Sequence, residues 1–477
     1  MRKDTRYKYV AIVGIAIAYA SCTTPKLVTK TENRNTPSSY GIGQDSSNIA
    51  KMNWRDYFAD PYLVALIDTA LKNNQELNIT LQEIEIARNE ARARKGEYLP
   101  FVGIKGGAGV EKTPRYTVAG ATEDAVEIAP GRKTPDPVPD YMAAAYATWE
   151  ADIWGKLHNA RRAAVNRYLS TVEGKNFVIT NLVAEVADSY YELLALDNQL
   201  AILHNNIDIQ NNALEVVRLQ KEAAKTTELA VKKFEAEVLK TQSMQYDIQQ
   251  QITETENRIN FLLGRYPQPV ARNASAFSSA IAKNTPAGLP SQLLANRPDI
   301  RKAELELTAA KLDVKVARAT FYPSLGISAS IGYQAFNPSY LLRTPESILY
   351  SLAGDLVAPL VNRNGIKAAY YSANAKQVQA AYNYERTLVN AYVEVANQLA
   401  KISNLQKSYE LKQKQVDALT KSIDIANDLF KSARADYMEV LMTQRDALES
   451  KFELIETQEQ QLKVTVGIYQ ALGGGWN

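Results

Sequence analysis

Apolar residues between positions 156 and 221 recur alternately three and four apart: Ile179, Leu182, Val186, Ser189, Leu193, Leu196, Leu200, Leu203, Ile207, Gln210, Leu214 and Val217 hold the places of one seam. The stretch has no proline, and Gly174 is its only glycine. At 1.5 Å per residue it predicts a single helix of roughly 100 Å, too long for a compact globular core. A heptad seam sustained for about five repeats needs a partner helix. A second stripe, Val183, Ala187, Tyr190 and Leu194, asks for another neighbour. A closed ring of helices meets both demands, as does a multi-helix bundle.

A shift of 209 residues reproduces the seam at Leu388, Ala391, Val395, Gln398, Ile402, Leu405, Tyr409, Lys412, Val416, Leu419, Ile423 and Ala426, and carries "AEVA" at 184 onto "VEVA" at 393. The chain therefore reads as an internal duplication. In each half the long helix meets a short break, "EAAKTTEL" at 222–229 or "SARADYME" at 432–439, and a return helix completes a hairpin.

Upstream of each long helix the period drops to two. Leu325, Ile327, Ala329, Ile331 and Tyr333 alternate with Gly326, Ser328, Ser330, Gly332 and Gln334, and Ile348, Tyr350, Leu352 and Gly354 alternate with Ser347, Leu349, Ser351, Ala353 and Asp355. In the first half Val102, Ile104, Ala108 and Val110 alternate with Gly103, Lys105, Gly107 and Gly109, and a less regular strand covers about 141–151. Pro- and Gly-rich connections join each pair. Strands of roughly ten residues with one apolar face fit transmembrane β-strands, and also a soluble hairpin with one buried face. Four strands cannot close a barrel, and an open edge in lipid leaves backbone groups unpaired, so a membrane reading requires oligomerisation. Two copies would give eight strands around a filled interior, three would give twelve around a lumen.

The amino terminus favours the membrane reading. Arg2, Lys3, Arg6 and Lys8 precede an uncharged run from Tyr9 to Ala20, then Ser21 and Cys22, the only cysteine. This is the layout of a secretory signal, too short to span a bilayer. A cysteine directly after the small residues resembles a bacterial lipobox, although Tyr19 departs from its usual Leu or Val; an ordinary cleaved signal is the alternative. Residues 23–50, rich in Thr, Ser, Asn and Gly, are expected to be a flexible tether. The formal charge of +3 is carried by the signal, so the rest is near neutral and nucleic acid is not an expected partner. One cysteine excludes an intrachain disulfide, and His158 and His204, the two histidines, belong to no metal motif and are expected on solvated helix faces. No nucleophile and base, phosphate loop or paired-carboxylate motif stands out, so neither an enzyme nor a cofactor is expected.

The stretch "LPSQLLANRPDIRKAELELTAAKLDVKVARATFYPSLGISASIG" at 289–332 resembles the hallmark segment of outer-membrane efflux proteins of the TolC and OprM type. The ending "YQALGGGWN" and the junction "WEADIWGK" at 149–156 are similar to the lipoprotein branch that serves RND pumps. The resemblance covers about residues 50–477. It implies a homotrimer in which a 12-stranded transmembrane β-barrel continues into a long 12-helix periplasmic α-barrel. The implied organisation is a signal (1–21), a lipidated flexible tether (22–50), a first efflux repeat (51–265; β-hairpin about 100–151, helical hairpin about 156–263), an equatorial connector (266–297) and a second repeat (298–477; β-hairpin about 324–358, helical hairpin about 366–472). In "NRPD", Pro298 suits the first turn of a helix and Asp299 its positive end. Phe321, Tyr322 and Pro323 end that helix, either at a membrane interface or simply packed at the junction.

The implied function is an outer-membrane exit duct for small molecules in a tripartite system, with a periplasmic membrane-fusion adaptor, an inner-membrane RND pump and outer-membrane lipid as partners. A duct for type I protein or peptide secretion shares the fold, and a lipid-anchored periplasmic coiled-coil scaffold is the reading from another class. Cys22 is the lipidation candidate. The family's pattern after the second tip places a periplasmic gate at Asp436, Glu439 and Met442, with Ala433 where glycine is usual and Met442 where aspartate is common. Ala223, Ala224 and Thr226 on the first tip, and Ser432, Ala433 and Arg434 on the second, are the candidate adaptor-docking residues.

Overall fold

A computed structural model describes residues 24–28, 30–40, 47–274, 277, 286–432 and 434–476; Cys22, the signal and Ala433 lie outside them. The principal elements in chain order are α1 (Pro61–Asn73), α2 (Gln75–Tyr98), β1 (Phe101–Glu111), α3 (Val118–Ala125), β2 (Glu127–Ala129), β3 (Arg132–Lys133), β4 (Val138–Ala151), α4 (Lys156–Glu222), α5 (Glu228–Leu262), α6 (Pro298–Ala319), β5 (Ser324–Ala335), β6 (Ile348–Val357), α7 (Asn364–Lys431) and α8 (Tyr437–Ala471). The long helices α4 and α7 have 67 and 68 residues, and the return helices α5 and α8 have 35 each. Both ends of α8 stand 209 positions after those of α5.

The described residues fall into two compact units. One draws on Met1–Thr31, Glu85–Leu169 and Leu305–Tyr382, the other on Glu32–Ile84, Ser170–Glu304 and Asn383–Asn477. In the first unit the strands form one antiparallel sheet in the order β1-β4-β5-β6, so the hairpins of the two sequence halves join through β4 and β5. β4, the least regular strand by pattern, is the longest at 14 residues and pairs along both edges. Gly332 is required where β5 meets β4, because a Cβ there would lie 2.3 Å from the Ala143 carbonyl oxygen.

Directly paired residues share a face of an antiparallel sheet. The register therefore puts Val102, Ile104, Ala108 and Val110 of β1 on the same face as Tyr141, Ala143, Ala145, Ala147 and Trp149 of β4. The face continues through Leu325, Ile327, Ala329, Ile331 and Tyr333 to Ile348, Tyr350, Leu352 and Leu356. No charged side chain falls on it. Lys105, Glu111, Asp140, Glu150 and Asp355 all lie on the opposite face, with Ser330 and Ser351, whose hydroxyls pair at 2.9 Å. Ile104, Tyr350 and Leu352 are 89%, 82% and 79% exposed, so the rest of the chain does not cover the apolar face.

Phe321, at the end of α6, is buried against Tyr370 at 5.4 Å, so packing at the junction explains it. Tyr322 stacks on Trp154 at 4.7 Å, and the Trp154 indole N–H donates to the Pro323 carbonyl at 2.7 Å.

The second unit holds the long-helix seams. Leu182, Val186, Ser189, Leu193, Leu196, Leu203, Gln210, Leu214 and Val217 are buried, as are Leu388, Ala391, Val395 and Val416 of the repeated seam. Tyr57 stacks on Tyr469 at 4.2 Å, and the Tyr469 hydroxyl donates to the Met52 carbonyl at 2.7 Å.

The segment expected as a flexible tether is instead docked over most of its described length. In the first unit the Lys30 ammonium lies 4.3 Å from the Tyr382 ring, and the Lys30 backbone carbonyl accepts from the Gln377 side chain at 3.3 Å. In the second, the Asn33 N–H donates to Glu385 at 2.8 Å, Arg34 pairs with Glu304 at 2.8 Å, and Tyr40 stacks on Tyr392 at 5.3 Å. Its composition ruled out a core of its own. It did not rule out an extended strap held by backbone groups, one arginine and tyrosine faces.

Candidate gate and docking tips

The two hairpin tips repeat one backbone device. After α4, the Lys225 N–H donates to the Gln220 carbonyl at 2.8 Å, and after α7 the Arg434 N–H donates to Leu429 at 2.8 Å, 209 positions later. These are the 6→1 bonds of a helix C-cap that normally uses glycine in the left-handed conformation. Ala224 takes that conformation with φ 57°. Thr227 then caps α5, its hydroxyl accepting from the Ala230 N–H, whereas Asp436 occupies the equivalent place before α8 with no side-chain cap bond.

Ala223, Ala224, Ser432 and Arg434 are exposed and Thr226 is half-buried. Just behind them the hairpins pack together: Leu214 and Val217 of α4, Phe234 and Val238 of α5, and Val440 and Leu441 of α8 form one buried cluster, with Phe430 of α7 against it. Because Val440 and Leu441 face that cluster, Asp436, Glu439 and Met442 emerge together on the exposed side of α8. Successive members three residues apart turn by about 60°, so the three make one stripe. His158 and His204 are exposed on their helices.

Two features were not foreseen from the sequence. One turn behind the tip cluster the packing turns polar: Gln210, Thr241 and Gln444 are each 1% exposed, and neither glutamine amide finds a partner among the described residues. A second apolar cluster resumes at Leu203, Ile248 and Leu448. The only signal was Gln210 in a seam position that leucine would fill. Buried amides without partners weaken packing at that level relative to an apolar layer.

The second feature is Arg297. It is 5% exposed, and its guanidinium donates to both Asp299 carboxylate oxygens at 2.9 and 2.6 Å, to Glu394 at 2.5 Å and to the Ala471 carbonyl at 2.9 Å. Asp299 thus serves an ion pair as well as the start of α6, and "NRPD" ties the beginning of the second repeat to the end of α8. The closing glycines follow from the same contact. Gly473 has φ +88°, and a Cβ on it would lie 2.5 Å from the Asn296 carbonyl oxygen. The Trp476 indole N–H donates to the Gly473 carbonyl at 2.8 Å.

Elsewhere in this unit, Glu192 accepts from Arg258 and Lys463, each at 2.8 Å; these bonds outweigh burial and hold its carboxyl below the usual range. Neighbouring Asp188 has one carboxylate oxygen buried without a partner among the described residues, and burial pushes the pKa of its carboxyl up to about 7 against the pull of Lys463.

A sheet with one wholly apolar exposed face, joined in sequence to paired helical hairpins, defines the class of channel proteins that stand in an outer membrane. The chain belongs to the outer membrane efflux protein family, whose model matches residues 66–265 and 289–474. It is 29% identical over 435 residues to the pyoverdine export outer membrane protein OpmQ of Pseudomonas aeruginosa, covering 91% of this chain and 89% of that one. It is 28% identical to the toluene efflux pump outer membrane protein TtgI of Pseudomonas putida, covering 93% and 92%. A crystal structure of CusC superposes with a TM-score of 0.81 at 24% identity, covering 94% of this chain and 99% of that one. Family and fold are those of transport channels, and the protein's place is the outer membrane.

Proposed function

We propose that three copies of the chain close a twelve-stranded barrel in the outer membrane, continuous with a barrel of the long helices, and that the assembly is the exit duct of a tripartite RND-type efflux system. One observation carries this: a four-stranded sheet with a continuous uncharged face and two open edges, β1 and β6, which lipid would leave unsatisfied unless other copies paired with them. An adaptor and an inner-membrane pump complete the system, and the tips at Ala223, Ala224 and Thr226 and at Ser432, Ala433 and Arg434 are where the adaptor docks. Asp436, Glu439 and Met442 form the gate. Three symmetric copies of the first two place carboxylates around the axis, where they repel one another and attract cations. The poorly satisfied layer at Gln210 and Gln444 gives the second hairpin a level at which it can shift.

Relatives named for pyoverdine and toluene stand at nearly equal identity to this chain. That supports a duct that passes small molecules chosen upstream rather than selecting them itself. The export signal is followed by lipidation of Cys22, an extra tether for a barrel already integral to the membrane. Reconstitution tests the reading. Purified protein should migrate as a trimer and give discrete single-channel conductance in planar bilayers; a water-soluble, non-conducting monomer refutes it.

A further inference from the structure

The near-neutral net charge hides a local asymmetry in the unit that carries the sheet. From Lys156 to Val172, α4 has Arg161, Arg162 and Arg167 and no carboxylate. Between Asp355 and Glu385 the chain has Arg363, Lys367 and Lys376 and again no carboxylate. α6 ends with Lys315 and Arg318. The connections at the other end of the sheet are balanced: Lys112, Arg115, Arg132 and Lys133 stand with Glu123, Asp124, Glu127 and Asp136, and both Lys112 and Arg115 pair with Asp136.

Arg162, Lys315, Arg318 and Lys367 are exposed and pair with no carboxylate among the described residues. Measured along its helix from the end next to the sheet, each lies within about 9 Å. A headgroup layer is about 5 to 7 Å deep on each side of the hydrocarbon, and the screening length at physiological salt is about 8 Å, so all four charges act on it. At the same level a cleft of about 240 Å³ lies beside the stacked Trp154 and Tyr322, lined also by Pro323, Val357, Lys156, Glu150 and Asp152; its two carboxylates are engaged, Glu150 with Lys156 at 2.5 Å and Asp152 with the N–H groups that open α4. Aromatic side chains of this kind settle at the boundary between hydrocarbon and headgroups.

We propose that this basic collar binds anionic phospholipid of the leaflet next to the helices, its phosphates held by Arg162, Lys315, Arg318 and Lys367 and the glycerol region against the Trp154–Tyr322 cleft. The occupant is lipid because the helix ends that carry these charges run directly into β4, β5 and β6, the strands that present the apolar face. The inference rests on that face lying in the membrane, as the proposed duct requires. It gives the barrel an electrostatic stop at one end of the sheet that the balanced opposite end lacks.

Native mass spectrometry of the full-length protein tests it, after reconstitution into vesicles of phosphatidylethanolamine with a minority of phosphatidylglycerol and mild re-extraction. The wild type should retain phosphatidylglycerol above its share of the vesicle, less so at high salt. Each basic residue near a charged surface contributes about fivefold. The combined R162Q/K315Q/R318Q/K367Q variant should therefore lose the enrichment by at least about tenfold while still inserting and conducting. An R132Q/K133Q variant at the other end should keep it. Equal retention by wild type and the fourfold variant overturns the proposal, as does equal loss in R132Q/K133Q. A wild type that conducts without enriching phosphatidylglycerol refutes the collar and leaves the duct intact, whereas one that neither inserts nor conducts refutes the duct and the collar with it.

Discussion

Replacing Arg297 by methionine keeps most of the side-chain volume and removes every side-chain hydrogen bond it makes. The consequences differ from partner to partner. The Glu394 side chain is 52% exposed and regains water, so its loss costs little. Asp299 is only 18% exposed and loses a bidentate partner, and the Ala471 carbonyl is left in a buried site. Breaking a buried pair by removing one member costs about 3–5 kcal/mol, and the exposure of Glu394 places Arg297→Met near the lower figure, about 3 kcal/mol. Because Trp476 hydrogen-bonds within the same corner, its emission should report local loosening before the long helices unfold. Urea titration in detergent, followed by circular dichroism and tryptophan emission, measures both. A cycle with Asp299→Asn should give a coupling of about 2 kcal/mol, since that change relieves the carboxylate the first one strands. The reasoning is refuted if Arg297→Met costs less than about 1 kcal/mol, or if Asp299→Asn costs the same in both backgrounds.

Asp188 predicts a pH dependence. Its folded carboxyl is raised to about 7 from 3.8, so the folded state holds the proton more tightly, and the stability this contributes is full below about pH 4 and gone above about pH 7. Lys463, Glu192, Lys401 and Glu459 face the same group, yet Asp188→Asn alone should flatten the loss between those limits, read as a smaller change in urea midpoint from about pH 5 to about pH 8. Ala224→Gly removes the left-handed strain at the first tip and should stabilise the hairpin by about 1 kcal/mol, measured as slower hydrogen exchange around 219–230; unchanged exchange would show that the strain is absorbed elsewhere. Leu352→Lys puts a charge on the apolar face and should cost about 2–4 kcal/mol per protomer, with loss of inserted trimer, while Ala353→Lys, one residue on and on the other face, should insert normally. Equal insertion of the two would refute the assignment of the faces, and insertion of Leu352→Lys alone would reverse it.

Periodicity alone supplied the long helices, the 209-residue repeat, the hairpins and the alternation of the strands, because helix and strand periods are imposed by backbone geometry and need only local sequence. It could not supply pairing. That β4 joins β5 and makes one sheet from two halves, or that every charged position in that sheet falls on one face and leaves the other uncharged, depends on a register that no strand carries within itself. Charge summed over the chain beyond the signal came out near zero, while the collar at Arg162, Lys315, Arg318 and Lys367 exists only because the fold gathers these residues at one end of the sheet. Residues 23–50 read as a tether because they have few large apolar residues, and the structure straps 30–40 down with partners more than 250 positions away. Arg297 shows the division most sharply. The sequence placed it in a turn before a helix; only the tertiary structure brought the end of α8 and Glu394 to it, and burial is what makes those contacts count.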